Sequence, residues 1–297
     1  MNPAAASDER PGRGMAAVGM AAIGFSFGFI LVKLVGLPGP VLAGARLLIG
    51  ATAVLGAAVL LRRPRPVRFA PVLAAGVFFG LHQLLYVAAT QLTSIAIVTL
   101  LGALMPMGVA LVSRRAVGEP VPPSYAIWSA MALAGVALVV LANASDASHS
   151  VLGDLLAVVN VVTFLGYLLA SKRARQEGTD TLSLTGGTLV VAMLVVLPGL
   201  FFVEPTAPVP WQWGYIALLA LGPGNGHLLL NWAHARTSAA MTSLVLSAVP
   251  LLASLWAYLV FDEPYGWPHV LGALLVAGAV EGGRRAEAQQ ARASVAT

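Results

Sequence analysis

The chain has 297 residues, 58% of them hydrophobic and 10% charged, with a mean hydropathy of +0.85. Soluble chains carry about 25% charged residues, so this composition excludes a disordered chain, a nucleic-acid-binding module and most soluble enzymes, and points to a multi-span membrane protein. The net charge of +5 takes its meaning from where the bases sit, and zero cysteines exclude disulfide frameworks, thiolate metal sites and thiol catalysis.

A helix needs about 20 mostly apolar residues to cross the hydrocarbon core, and ten such stretches follow one another here. The leader, 1–14, mixes acid and base and precedes a full-length span with no cleavage site, so it reads as a tail and not a signal peptide. Span one covers 15–35 and closes on Lys33; span two covers 38–61. Arg46 stands eight residues past Pro38, about 12 Å deep at 1.5 Å per residue. Span three, 69–90, holds His82, Gln83 and Tyr86, with His82 and Tyr86 on one face at i,i+4. Span four, 93–114, carries Thr99 and Pro106, and span five is 123–142. Span six, 151–171, puts Asn160, Thr163, Phe164 and Tyr167 on one face; span seven is 182–203.

Span eight, 211–235, is interrupted by Gly222-Pro223-Gly224-Asn225-Gly226 and resumes with His227, Asn231 and His234 on one face. Glycine and proline together break or kink a helix. Asn225 is expected to cap the lower half-helix, whose free N–H groups then suit a carboxylate. Span nine, 238–260, bears Ser243, Ser247, Pro250 and Ser254 on one face, and span ten is 267–283.

Lys and Arg mark cytoplasmic segments. With both termini inside, the inner segments hold 15 of the 17 bases, including Arg10, Arg62, Arg63, Arg65, Arg175 and Arg236. The outer loops hold Asp146, Glu204, Asp262 and Glu263 instead. An odd span count destroys this alternation. The expectation is an all-α integral membrane protein of ten transmembrane helices in the cytoplasmic (inner) cell membrane, both termini cytoplasmic.

Thr93-Ser94, Pro106 and Glu119-Pro120 recur as Thr237-Ser238, Pro250 and Glu263-Pro264, each 144 residues on. Phe25 and Lys33 align more loosely with Phe164 and Lys172, 139 residues on. The chain thus divides into a tail, 1–14, a first five-helix repeat, 15–145, a second repeat, 146–285, and a tail, 286–297. Five spans is an odd number, so the repeats are inverted. Inverted repeats related by an axis in the membrane plane are a transporter architecture, with alternating access to a site between the halves.

At this point the chain resembles the drug/metabolite transporter superfamily in its EamA-type branch. The resemblance rests on Phe27-Gly28-Phe29-Ile30-Leu31-Val32-Lys33, on Arg46, on the doubled Thr-Ser … Pro … Glu-Pro run and on Gly153-Asp154. It spans nearly the whole chain, although the tryptophan frequent in the family's first span is Phe25 or Phe27 here. It implies export of small metabolites, often amino acids, through a central cavity lined by spans 1, 3, 4, 6, 8 and 9.

Polar side chains at membrane depth are functional candidates, because lipid exposure costs kilocalories. The expected substrate-binding set is His82, Gln83, Tyr86, Thr99, Asn160, Phe164, Tyr167, Asn225, His227, Asn231, Ser243 and Ser247. Gln83 is the repeat mate of His227, and one of His82 and Gln83 suffices to face the cavity. Pro106, Gly222, Pro223, Gly224 and Pro250 are expected hinges. Lys33 and Arg46 have electrostatic or structural roles, Lys33 by snorkelling to the surface and Arg46 as a clamp or a contributor of positive potential.

No Asp or Glu occupies the middle of a span, which argues against organic cations. The leading expectation is a secondary exporter of small metabolites, amino acids foremost, without cofactor or metal. Efflux of lipophilic drugs or organic cations is the alternative within transport. A non-transporting regulator or membrane enzyme is the alternative outside it, lacking a catalytic constellation. Expected partners are a small-molecule substrate and the lipid bilayer, with no nucleic acid. Gly24-x-x-x-Gly28 suits a helix contact within a monomer or across a homodimer.

Overall fold

The structure, a computed structural model, describes residues 11–61, 67–142, 150–262 and 264–296. Arg10, Arg62, Arg63, Arg65, Asp146 and Glu263 of the charge and repeat patterns lie outside the described residues. Those described are helical, with no strand among them. The first half contains α1 (Pro11–Val35), α2 (Gly39–Leu60), α3 (Phe69–Leu92), α4 (Ile95–Gly102), α5 (Met105–Val117) and α6 (Tyr125–Ala142). The second contains α7 (Val151–Gln176), α8 (Thr181–Val196) with a 3-10 turn over Leu197–Phe202, α9 (Pro210–Leu221), α10 (Pro223–Ala233), α11 (Ala239–Leu246), α12 (Val249–Phe261) and α13 (Trp267–Ala296).

Eight segments are long and apolar enough to cross a membrane, counting α4–α5, α8 with its 3-10 turn, and α11–α12 as one each. The eighth and tenth expected spans are not among the eight. The eighth is split at Gly222 into helices of 12 and 11 residues. The tenth runs on from its apolar stretch through Glu281, Arg284 and Arg285 in a single 30-residue helix, with no break at 285.

The repeat is visible in the helix ends. α4 and α11 have eight residues each, α5 and α12 thirteen, at positions 144 residues apart. Ser94 and Ser238 cap them alike, their side chains accepting from Ile97 N at 3.2 Å and Met241 N at 2.9 Å. Such a cap satisfies one of the orphan donors of a first turn. Pro106 and Pro250 sit in the first turns of α5 and α12, where a missing N–H costs nothing. Both helices end in the left-handed region, at Gly118 (φ 72°) and at Asp262 (φ 54°).

Packing obeys the same exchange. α3 lies along α7 as α1 lies along α10, while α2 pairs with α8 and α6 with α13. The α6–α13 seam is made by glycines: a Cβ on Gly272 would stand 2.5 Å from the Gly135 carbonyl oxygen, and one on Gly135 2.7 Å from that of Gly272. Lower down, Gly278 faces Met131 and Gly282 faces Trp128. Small residues at such crossings let helix backbones approach, the usual basis of helix association in lipid. Gly24 and Gly28 of the G-x-x-x-G pattern face Pro223 of α10, so that motif serves a contact within the chain. Trp211, Trp213 and Trp267 are exposed at helix ends, as belt anchors require.

Candidate functional site

Between the halves lies a cavity of about 110 Å³, room for several water molecules. Its polar wall comes from α2 (Arg46), α3 (His82, Gln83, Tyr86), α4 (Thr99), α7 (Asn160) and α10 (His227). The remainder is apolar and aromatic, with Phe25, Phe29 and Phe164 prominent, and Pro223 and Pro250 at the helix breaks. The lining residues lie from mid-helix toward the end of the bundle that bears Lys33, away from the end that bears Lys172.

The aromatic rings form a box. His227 has its ring centroid 4.5 Å from Phe25 and 4.5 Å from Phe79, and Phe164 stacks on His82 at 4.6 Å. His82 Nδ1 is 2.7 Å from Asn160 Oδ1, a bond that joins α3 to α7 and fixes both side chains in the wall. Gln83 is buried, yet neither its amide nitrogen nor its carbonyl oxygen has a hydrogen-bond partner, and His227 Nδ1 has none either. Buried polar groups are nearly always paired, so these three atoms are available to a guest. Arg46 is the one charged side chain on the wall and is buried. It makes no hydrogen bond or ion pair among the described residues, and no carboxylate there lines the cavity with it.

Seven of the twelve expected contact residues line this space: His82, Gln83, Tyr86, Thr99, Asn160, Phe164 and His227. His82 and Gln83 both do so, beyond the one that sequence required. The other five are elsewhere. Tyr167 and Asn231 are buried behind the wall, the tyrosine hydroxyl donating to Asn231 Oδ1 (3.2 Å) and the amide to Thr185 Oγ1 (3.0 Å). Ser243 donates to the Ala240 carbonyl (2.8 Å) and meets the Tyr125 hydroxyl at 3.1 Å; Ser247 bonds back to Ser243 O at 3.4 Å. Neither serine lines the cavity, to which this pair of helices contributes Leu246, Val249 and Pro250 instead.

Asn225 is exposed, inside the first turn of α10, and its side chain donates to the Leu221 carbonyl. Gly222 is the N-cap instead, closing α9 and opening α10 at once. The half-helix offers few free donors, since Pro223 has no N–H and Asn225 N bonds Gly222 O at 3.1 Å. The break thus offers a carboxylate few free donors. Lys33 is exposed, as snorkelling requires. Phe29 and Phe79 were not foreseen; the i,i+4 spacing of Phe25 and Phe29 was the signal for the former.

The sequence pattern of the EamA-like transporter family matches residues 12–141 and, a second time, residues 151–280. The chain belongs to the EamA-like transporter family. As a member of that family it is a multi-pass membrane transporter, and its two matched segments are the two halves that enclose the cavity. A solved structure described only as a crystal structure of a protein superposes on this EamA chain with a TM-score of 0.75. It is 21% identical, with 90% of this chain and 95% of that chain covered, a likeness of fold alone. No curated protein matches this EamA chain.

Proposed function

We propose that the protein is a secondary transporter exporting small amphipathic carboxylates, amino acids foremost, by alternating access. One observation carries the substrate class: among the described residues Arg46 is the only charge on the wall, buried and without a carboxylate beside it. A charge at membrane depth is costly without a partner, and a substrate carboxylate supplies one. Gln83 and His227 Nδ1, without a hydrogen-bond partner among the described residues, accommodate the amino group or the remaining polar atoms. Phe25, Phe29 and Phe164 receive the apolar side chain.

In this reading the α9–α10 pair and α13 complete ten crossings, with both termini on the cytoplasmic face of the inner membrane, as the distribution of bases supports. The outward direction is what the resemblance to drug/metabolite exporters implies. Gly222, Pro223, Gly224, Pro106 and Pro250 serve as hinges, each standing at or beside a helix break.

The aromatic box favours a second reading, efflux of lipophilic compounds. Counterflow in proteoliposomes separates the two. Saturable, competable amino-acid exchange that fails in Arg46→Gln is the expected result. Exchange of lipophilic cations alone, undiminished in Arg46→Gln, overturns the carboxylate reading.

A further inference from the structure

An ammonium group has three donors, and Lys172 commits them in one place: to the carbonyls of His234 and Thr237, at 2.8 and 2.7 Å, and to Glu119 at 2.7 Å. The repeat offsets of 139 and 144 residues carry this lysine and these two carbonyls to Lys33, Thr90 and Thr93. There Lys33 is exposed and bonds neither carbonyl. The place for its ammonium is nevertheless built. Thr90 and Thr93 are 0% and 1% exposed, and Thr90 Oγ1 has no hydrogen-bond partner among the described residues. The two threonines stand in the last turn and at the C-cap of α3, where the final carbonyls lack partners along the helix and the helix dipole favours a cation. Gln91 Nε2 donates to the Leu37 carbonyl at 2.7 Å, which holds the loop after α1 beside that turn.

Neighbouring contacts between the repeats are matched at the two ends. Gly153 of α7 packs on Leu92 and Thr93, and Gly14 of α1, 139 residues earlier, packs on Arg236, the repeat mate of Leu92. Gln212 at the start of α9 donates to the Val35 carbonyl at the end of α1. Arg68, 144 residues before Gln212, donates from its backbone N to Thr179 Oγ1, just beyond α7, at 3.2 Å. These contacts fasten α1 to α9–α10 and α3 to α7 alike. The lysine contact, in contrast, is made by Lys172 and not by Lys33.

We propose that Lys33 is a second latch, used in the opposite access state. When the cavity opens toward Lys172, Lys33 turns in from the surface and donates to the carbonyls of Thr90 and Thr93 and to Thr90 Oγ1, while Lys172 leaves His234 and Thr237. The proposal rests on the reading of the chain as an alternating-access transporter: where inverted repeats rock against each other around a fixed site, the opposite state follows from giving each repeat the conformation of its mate. The two lysines then stabilise opposite states, and a contact made in one state alone shifts the balance between them.

The test places a single cysteine at Thr99, on the cavity wall, in a chain that has none of its own. Its reaction with a membrane-impermeant maleimide is followed from each face, in whole cells and in inverted vesicles. Lys33→Met is expected to lower labelling from the Lys172 side about tenfold, the weight of one charge-assisted hydrogen bond. Lys172→Met should raise labelling from that side, and Lys33→Arg, which keeps the donors, should recover most of what Lys33→Met loses. The Tm of Lys33→Met should match the wild type, because Lys33 is exposed in this state; a lowered Tm with unchanged labelling makes the lysine structural and overturns the latch. An unchanged ratio of labelling between the faces in Lys33→Met also overturns it, and access from both faces in the wild type then leaves alternating access standing. Labelling from one face alone, in the wild type and in both methionine variants, overturns alternating access and the latch together.

Discussion

Lys172 and Glu119 meet at 2.7 Å at one end of the bundle, and Lys172 Nζ also donates to the carbonyls of His234 (2.8 Å) and Thr237 (2.7 Å). Glu119 in turn accepts from Ala239 N at 2.8 Å, at the start of α11. The ion pair therefore ties α7, the α10–α11 connection and the α5–α6 loop together. Lys33, aligned with Lys172 in the repeat, is exposed and makes no such contact among the described residues. This end is tied by an ion pair, whereas the Lys33 end is tied across the repeats by hydrogen bonds, from Thr93 Oγ1 to Asp154 Oδ1 at 2.7 Å and from Gln212 Nε2 to the Val35 carbonyl at 2.8 Å.

Breaking that latch has a predictable cost. Removing one partner of a buried pair costs about 3–5 kcal/mol; Glu119 retains 22% exposure, so the expectation for Lys172→Met falls to roughly 2 kcal/mol. The chain has no cysteine, so a single one placed at Thr99, on the cavity wall, reports access cleanly. Thiol labelling from the Lys172 side should rise in Glu119→Gln; no change would separate the pair from gating.

Arg46→Gln is expected to leave a folded protein and cut carboxylate exchange at least tenfold, whereas Arg46→Lys keeps part of it. Loss of one charge-assisted hydrogen bond is worth about 1.5–3 kcal/mol, in accord with that factor. Proteoliposome exchange beside a thermal scan checks both halves of the statement. An equal loss in both variants with a lowered Tm would make Arg46 a structural clamp.

Asp262 holds a left-handed conformation that its repeat mate Gly118 adopts without strain. Such a conformation costs an L-residue about 1–2 kcal/mol, with Asp among the more tolerant. Asp262→Gly should therefore be neutral to slightly stabilising and Asp262→Val destabilising by at least 1 kcal/mol, read from thermal unfolding.

Gly272→Ala forces a methyl group against the Gly135 carbonyl. Overpacking of this kind costs about 1–3 kcal/mol, and Gly278→Ala, where the neighbour is the flexible end of Met131, should cost less. The order of the two Tm values is the check.

Glu287 lies beyond the apolar run of α13, where Ser238 donates to it. Burial pushes its carboxyl up from 4.5, and the charge of Glu119 adds to the push. A raised folded-state value means that stability falls as pH rises from about 4.5 through that raised value. Glu287→Gln should flatten this stretch of the stability–pH curve.

Much of this was legible in the sequence because lipid allows few alternatives. Apolar runs fixed the helices, and the 144-residue repeat placed the breaks in α4–α5 and α11–α12. Burial of Gln83, His82 and Arg46 followed from polarity at membrane depth. What failed was local: a polar face was read as the cavity face, whereas Ser243 is taken up by Tyr125 and the Ala240 carbonyl and Leu246, Val249 and Pro250 make the wall. Asn225 was placed as a cap where a single glycine, Gly222, makes the join. The aromatic box was hidden for another reason: in so apolar a chain, Phe79 carries no mark that separates a wall from a core.

The glycine seam of α6 and α13 limits how the halves can move. Gly135 with Gly272, Met131 with Gly278 and Trp128 with Gly282 fasten the two helices through the first half of α6, and one belongs to each repeat. A seam this close leaves no room between the two backbones, so α6 and α13 act as one strut shared by both repeats, and neither repeat can be displaced without carrying a helix of the other with it.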